Sequence, residues 1–136
     1  MRAAIETALR IGQIAENVAD ATDGLVKHGE CLFNVGVHWD GTLYMGQPVT
    51  GGRIEVTALG DEVNETARVQ QSAKDGHVLA TKALVERLTG EDAHSLGLTP
   101  DRIGYTPLAE LADATSRARR DAGGIAVVDI ASARRA

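Results

Sequence analysis

Val56–Val69 reads V-T-A-L-G-D-E-V-N-E-T-A-R-V, and the rest of the chain is organised around it. A strand carrying Thr57 runs into Gly60-Asp61, a pair that ends the strand and opens a helix. Residues four apart on a helix share a face, so Asn64 and Arg68 are expected side by side, with Gln71 next to them. Asp61 is the expected N-cap, and Val63, Ala67, Gln70 and Ala73 form the expected inward stripe. Along Arg53–Leu59 the alternation points Ile54, Val56 and Ala58 one way and Glu55 and Thr57 the other. These residues make a polar site carried on rigid elements.

Upstream, Ala4, Ile5, Ala8, Leu9, Gly12, Ala15, Val18 and Ala19 recur at helical spacing and predict a one-sided helix from Met1 to about Ala21. Asp23-Gly24 and His28-Gly29 are turn signals. Cys31–Trp39 then alternates, with Phe33, Val35, Val37 and Trp39 on one face and Leu32, Asn34, Gly36 and His38 on the other. Asp40-Gly41 predicts a hairpin returning through Thr42–Met45, and Gly46–Gly52 a loop.

Downstream, Lys74-Asp75-Gly76 stops the central helix and His77–Ala80 is a short strand. Thr81 is expected to cap a helix reaching Leu88, while Thr89 to about Arg102 is expected to be irregular. Pro107 leaves Ile103–Leu111 ambiguous, Ala112–Arg120 allows a helical turn or two, and Gly123-Gly124 precedes a buried strand, Ile125–Ile130.

A chain of 136 residues, 43% hydrophobic and 24% charged, fits one globular domain. With only four aromatic residues, its core must be built from Ala, Val, Leu and Ile. A net charge of −5 argues against broad nucleic-acid binding. No stretch approaches the roughly 20 apolar residues of a membrane span, and no basic-then-apolar signal opens the chain, so a cytoplasmic location is the default expectation. Cys31 reads as a reduced, packed thiol, and His38 as a satisfied sheet histidine, not a ligand. No second histidine is spaced to complete a metal site, so no metal ligands are assigned.

Three segments in order, V-G-V-H-W-D-G (Val35–Gly41), T-A-L-G-D-E-V-N-E-T-A-R (Thr57–Arg68) and D-G-H-V-L-A-T (Asp75–Thr81), together resemble the C-terminal part of class III adenylate and guanylate cyclase domains. In that family a G-x-H-x-G strand precedes a G-D-x-V-N-x-A-A-R helix and then a G-x-I-x-V-S strand. Here Thr66-Ala67-Arg68 stands for the usual A-A-R, and Trp39-Asp40-Gly41 for the usual His-Thr-Gly. The resemblance implies an α+β fold: part of a ferredoxin-like βαββαβ domain, mostly antiparallel, with helices on one face of the sheet. It also implies catalytic roles for Asn64, which orients the ribose, and Arg68, which stabilises charge on the α-phosphate as the 3′-hydroxyl attacks and pyrophosphate leaves. An amide that can donate and accept suits a sugar, and a guanidinium fork suits phosphate oxygens.

By the same resemblance Thr57 contacts the purine, with a lean toward ATP over GTP, and Arg119 or Arg120 contacts the triphosphate. From the residues alone, Thr57 also fits simple β-propensity, and Arg117, Arg119 and Arg120 a solvated face. Intact family members hold two Mg²⁺ or Mn²⁺ ions on two aspartates, in an F-x-D-I strand and a G-D hairpin. Neither motif stands where the family has it, before the first helix, and no pair among Asp20, Asp23, Glu62 and Glu65 has the geometry to replace them. The expectation is one N-terminally incomplete cyclase homology domain spanning residues 1–136 that holds no metal of its own and is inactive alone. It would associate as a homodimer or with a cyclase-domain partner. The alternative is a non-catalytic module acting in dimerisation, nucleotide binding or regulation of an intact cyclase.

Overall fold

The computed structural model describes the chain except for Val26, Leu43, Gln47, Pro48, Gly52, Glu55, Val56 and Ala136; for His28, Glu30, Val49, Thr50, Arg53, Ile54, Thr57 and Arg135 it describes the backbone. The first half runs α1 (Arg2–Ala21), β1 (Val35–Val37), β2 (Tyr44–Gly46), β3 (Val49–Thr50), β4 (Arg53–Ile54), β5 (Thr57–Leu59) and α2 (Asp61–Ser72). The second runs β6 (Val78–Thr81), α3 (Lys82–Val85), α4 (Gly90–Ser95), β7 (Thr106–Pro107), α5 (Ser116–Ala122), β8 (Ala126–Asp129) and α6 (Ile130–Arg135).

The fold is α+β. Its main sheet has the order β1-β6-β8-β7, and two antiparallel ribbons, β2-β5 and β3-β4, stand beside it. β1 runs parallel to β6, whereas β8 is antiparallel to both β6 and β7, so antiparallel pairing predominates, as expected. The parallel pair requires a crossover, and α2 lies within it.

Every residue of β6, Val78 to Thr81, is buried. Because side chains alternate along a strand, this requires cover on both faces. Val78 and Ala80 pack with Ile5 and Ala8 of α1, Leu84 and Val85 of α3, and Ile130 of α6. Leu79 instead packs with Val69 and Ala73 at the end of α2, Leu108, Ala118 of α5, and Val127. Helices thus cover two faces, not the single face implied by the family resemblance. The second face admits α2 closely because Gly36 lacks a side chain: a Cβ there would fall 2.5 Å from the Gln70 backbone nitrogen.

The α1 helix forms over its predicted span, and Ile5, Ala8, Ala15 and Ala19 are its buried residues. Ala4 and Val18, expected in that stripe, are exposed; Val18 falls instead on an outward row with Ile11 and Ile14. The strand predicted over Cys31–Trp39 is confined to Val35–Val37, since Cys31 ends a 3-10 turn. Val35, Val37 and Trp39 do share the α1 face, while Phe33 is exposed.

The predicted hairpin is replaced by a different pairing. β1 takes β6 as its partner and β2 takes β5, with the Asp40 carboxylate accepting from the Thr42 N–H at the turn between them. The expected loop Gly46–Gly52 contains β3, paired with β4. In α2 the N-cap is Gly60, not Asp61, and Asp61 occupies the first turn, where its charge complements the helix dipole. The buried stripe of α2 centres on Val69, Ser72 and Ala73; Gln70 is exposed, reaching the Asn34 carbonyl.

Thr81 caps α3 as predicted, although the helix ends at Val85. The segment expected to be irregular contains α4, capped by Thr89. Pro107 sits in the edge strand β7, where a missing donor is tolerated.

Candidate functional site

Asn64 and Arg68 are brought to one cleft of about 430 Å³, lined by Asp61, Asn64, Glu65, Arg68 and Asp121. The first four come from α2 and the last from α5, which packs across it. Asn64 is exposed on the cleft wall. Arg68 is largely withdrawn from water, its side chain 13% exposed. One guanidinium nitrogen, Nη1, donates to Gln71 Oε1 at 2.8 Å. The Nε is buried without a hydrogen-bond partner, 3.5 Å from Asp121 Oδ2. A buried N–H left unpaired is costly, so this site favours an additional acceptor.

Asp121 links two cations. Arg120 Nε donates to its Oδ1 at 2.8 Å, while its Oδ2 faces Arg68. The hydrogen bond from Arg120, reinforced by the charges of Arg120, Arg68 and Arg117, holds this carboxyl below its ordinary range against a smaller desolvation effect. Arg120 therefore reaches the cleft through Asp121. Arg119 does not line it, and donates from Nη2 to the Leu111 carbonyl at 3.2 Å. Thr57 lies in β5 opposite Gly46, at the strand entering the Gly60 turn; its side chain, and hence its predicted direction, is outside the described residues.

The arrangement can hold a sugar hydroxyl at Asn64 and a phosphate or carboxylate oxygen at Arg68. Three carboxylates against one lining guanidinium leave the cleft acidic, which disfavours a bare polyanion. Of these acids, Asp121 is already engaged by Arg120 and Arg68. Among the described residues, a different trio brings metal-ligating atoms within 4.8 Å of one another: His38, Asp40 and Glu65.

His38 has partners on both ring nitrogens, as a satisfied sheet histidine should. Its Nδ1 lies 3.0 Å from Thr81 Oγ1 and its Nε2 3.2 Å from Glu65 Oε2. The role of Glu65 was not apparent from local spacing, because 27 residues separate it from His38. The available signal was alternation, which placed His38 on the same strand face as Gly36, the face covered by α2.

The site therefore belongs to an α+β domain with an Asn/Arg pair on one helix and a cleft closed by a second. No family model, curated protein or solved structure matches the chain.

Proposed function

We propose that this chain carries the ribose- and phosphate-binding half of a class III nucleotide cyclase site, with ATP preferred over GTP. The observation that carries the reading is Arg68 itself: a largely buried guanidinium whose Nε faces Asp121 but has no hydrogen-bond partner, one helical turn from Asn64 on the wall of the same cleft. In this role Asn64 orients the ribose and Arg68 stabilises charge on the α-phosphate as the 3′-oxygen–phosphorus bond forms and pyrophosphate departs. Arg120 is the better of the two predicted triphosphate contacts, because it reaches the cleft through Asp121. The metal-binding carboxylates would come from a different cyclase chain that carries them, since a second copy of this chain would bring the same Asn/Arg half and could serve only in dimerisation; the reading assigns the domain to the cytoplasm. No described helix is long and apolar enough to cross a membrane.

Titration of the 136-residue chain with Mg²⁺-neutralised ATP tests the reading, since the acidic cleft disfavours the bare polyanion. Saturable binding weakened about tenfold or more by Arg68→Ala supports it; an affinity indifferent to both Arg68→Ala and Asn64→Ala overturns it. With Mn²⁺ or Mg²⁺ and ATP, the chain alone is expected to form no cyclic nucleotide above blank. Turnover abolished by Arg68→Ala would show that it is active unaided.

The Asp121 carboxylate beside Arg68 favours one other reading, a non-catalytic cyclase-homology module whose arginine is held internally. Self-association without measurable ATP binding is the outcome specific to that reading.

A further inference from the structure

We propose that His38, Asp40 and Glu65 form a binding site for one divalent transition-metal ion of the zinc type, next to the Asn64/Arg68 cleft that Glu65 also lines. The three residues come from the position just after β1, the turn that follows it and α2, and their ligand atoms lie within 4.8 Å of one another.

Three observations support a cation there. First, His38 Nε2 and Glu65 Oε2 are 3.2 Å apart. Metal–ligand bonds of 2.0–2.2 Å place neighbouring ligand atoms about 3 to 3.5 Å apart, so one edge of a coordination polyhedron is already in place. Two bare lone pairs do not face each other at that distance; either a proton or a metal ion lies between them. Second, the imidazole is oriented from behind. The His38 side chain is 7% exposed, and Thr81 Oγ1 holds Nδ1 at 3.0 Å, the outer-shell contact that fixes which nitrogen a ligating histidine presents. Third, Glu62 Oε2 is buried without a hydrogen-bond partner, and Glu62 lines the same cavity of about 220 Å³ as His38 and Asp40. That oxygen lies beside Gly60 and is not one of the ligand atoms, but its negative charge close by adds to the pull on a cation.

Asp40 supplies the adjustable ligand. Its Oδ1 accepts from the Thr42 N–H, and the residue is exposed, so its side chain can close onto an ion without disturbing the sheet. One imidazole with carboxylates favours zinc-type ions over Mg²⁺ or Ca²⁺, which prefer oxygen-only shells.

The test is calorimetric titration of the full chain with Zn²⁺, with Co²⁺ absorption reporting on the ligands. One ion per chain at micromolar or tighter affinity is expected. It should be weakened at least tenfold by Asp40→Asn and by Glu65→Gln, and kept in His77→Ala and His94→Ala. Asp40→Asn alters an exposed turn and should fold normally, which keeps the test informative even if His38→Ala does not fold. Absence of saturable binding, or binding unchanged in both Asp40→Asn and Glu65→Gln, would overturn the site. ATP titration of Asp40→Asn, a residue outside the Asn64/Arg68 cleft, is a separate readout, so failure here leaves the cyclase reading standing.

Discussion

The two faces of the main sheet are built from different materials. The α1 face is filled by branched side chains, with Ile5, Leu84, Val85, Leu96, Leu98 and Ile130 all buried around Val78 and Ala80. The α2 face holds a smaller core with a larger share of small residues, Ala73, Ala114 and Ala118 beside Val69, Leu79, Leu108 and Val127, and with Gly36 beneath the α2 backbone. Large side chains bury more apolar area and contribute more stability. Small ones let two helices approach the sheet and each other, and the cleft lies between those helices, α2 and α5. The comparison teaches a division of labour: one face chiefly holds the fold together, while the other sets the position of Arg68.

The largest expected effect falls on the first face. Ile5→Ala or Ile130→Ala should cost about 2–5 kcal/mol in denaturant unfolding, with ATP affinity unchanged wherever the variant remains folded. A matching loss of ATP affinity in folded protein would break the division. Gly36→Ala should cost about 1–3 kcal/mol, because the new methyl meets the backbone of α2, and, unlike the isoleucine variants, it should also weaken ATP binding by displacing that helix. Arg68→Ala should do the reverse of Ile5→Ala: ATP affinity falls about tenfold, or ~1.4 kcal/mol, while the unfolding midpoint hardly moves. A strong destabilisation instead would assign Arg68 to the structural side.

The smallest effect concerns Asp121. Its folded pKa is depressed, so its stabilising contribution is present above the ordinary carboxyl value of 3.8 and is lost as pH falls through the lower folded value. Asp121→Asn should therefore be slightly less stable than the parent near neutrality and should converge with it in acid. Parallel stability curves across that range would show that the ion pairs do not contribute.

Local pattern made much of the fold legible. The apolar period marked the span of α1, Thr81 declared itself as a cap, and Asp75-Gly76 makes the left-handed turn, at φ 53° and 77°, just after α2 has ended at Ser72. The pair Asn64 and Arg68 followed from helical spacing and does meet at one cleft. What remained hidden was long-range. Asp40-Gly41 has hairpin chemistry, yet sheet burial gives β1 the partner β6, some forty residues on, because that pairing places Val35 and Val37 on the α1 core. The inward stripe of α2 was right at Ala73 and wrong at Gln70, because Gly36 lets the backbone at Gln70 rest on the strand, so that Val69 turns inward in its place. Asp121 and Glu65 are ordinary surface acids in one dimension, and only packing brings them to Arg68 and His38.

The placement of β6 also has a kinetic consequence. Its four residues are buried on both faces and flanked by strands on both edges, so their amides should be among the last to exchange with deuterated water. The two-stranded ribbons, with Tyr44, Met45 and Leu59 half exposed, should exchange early. Opening then proceeds inward from the ribbons, and β5 leads directly into the Gly60 turn and α2. The helix bearing Arg68 is thus attached on one side to the slowest-exchanging strand and on the other to one of the fastest-exchanging segments.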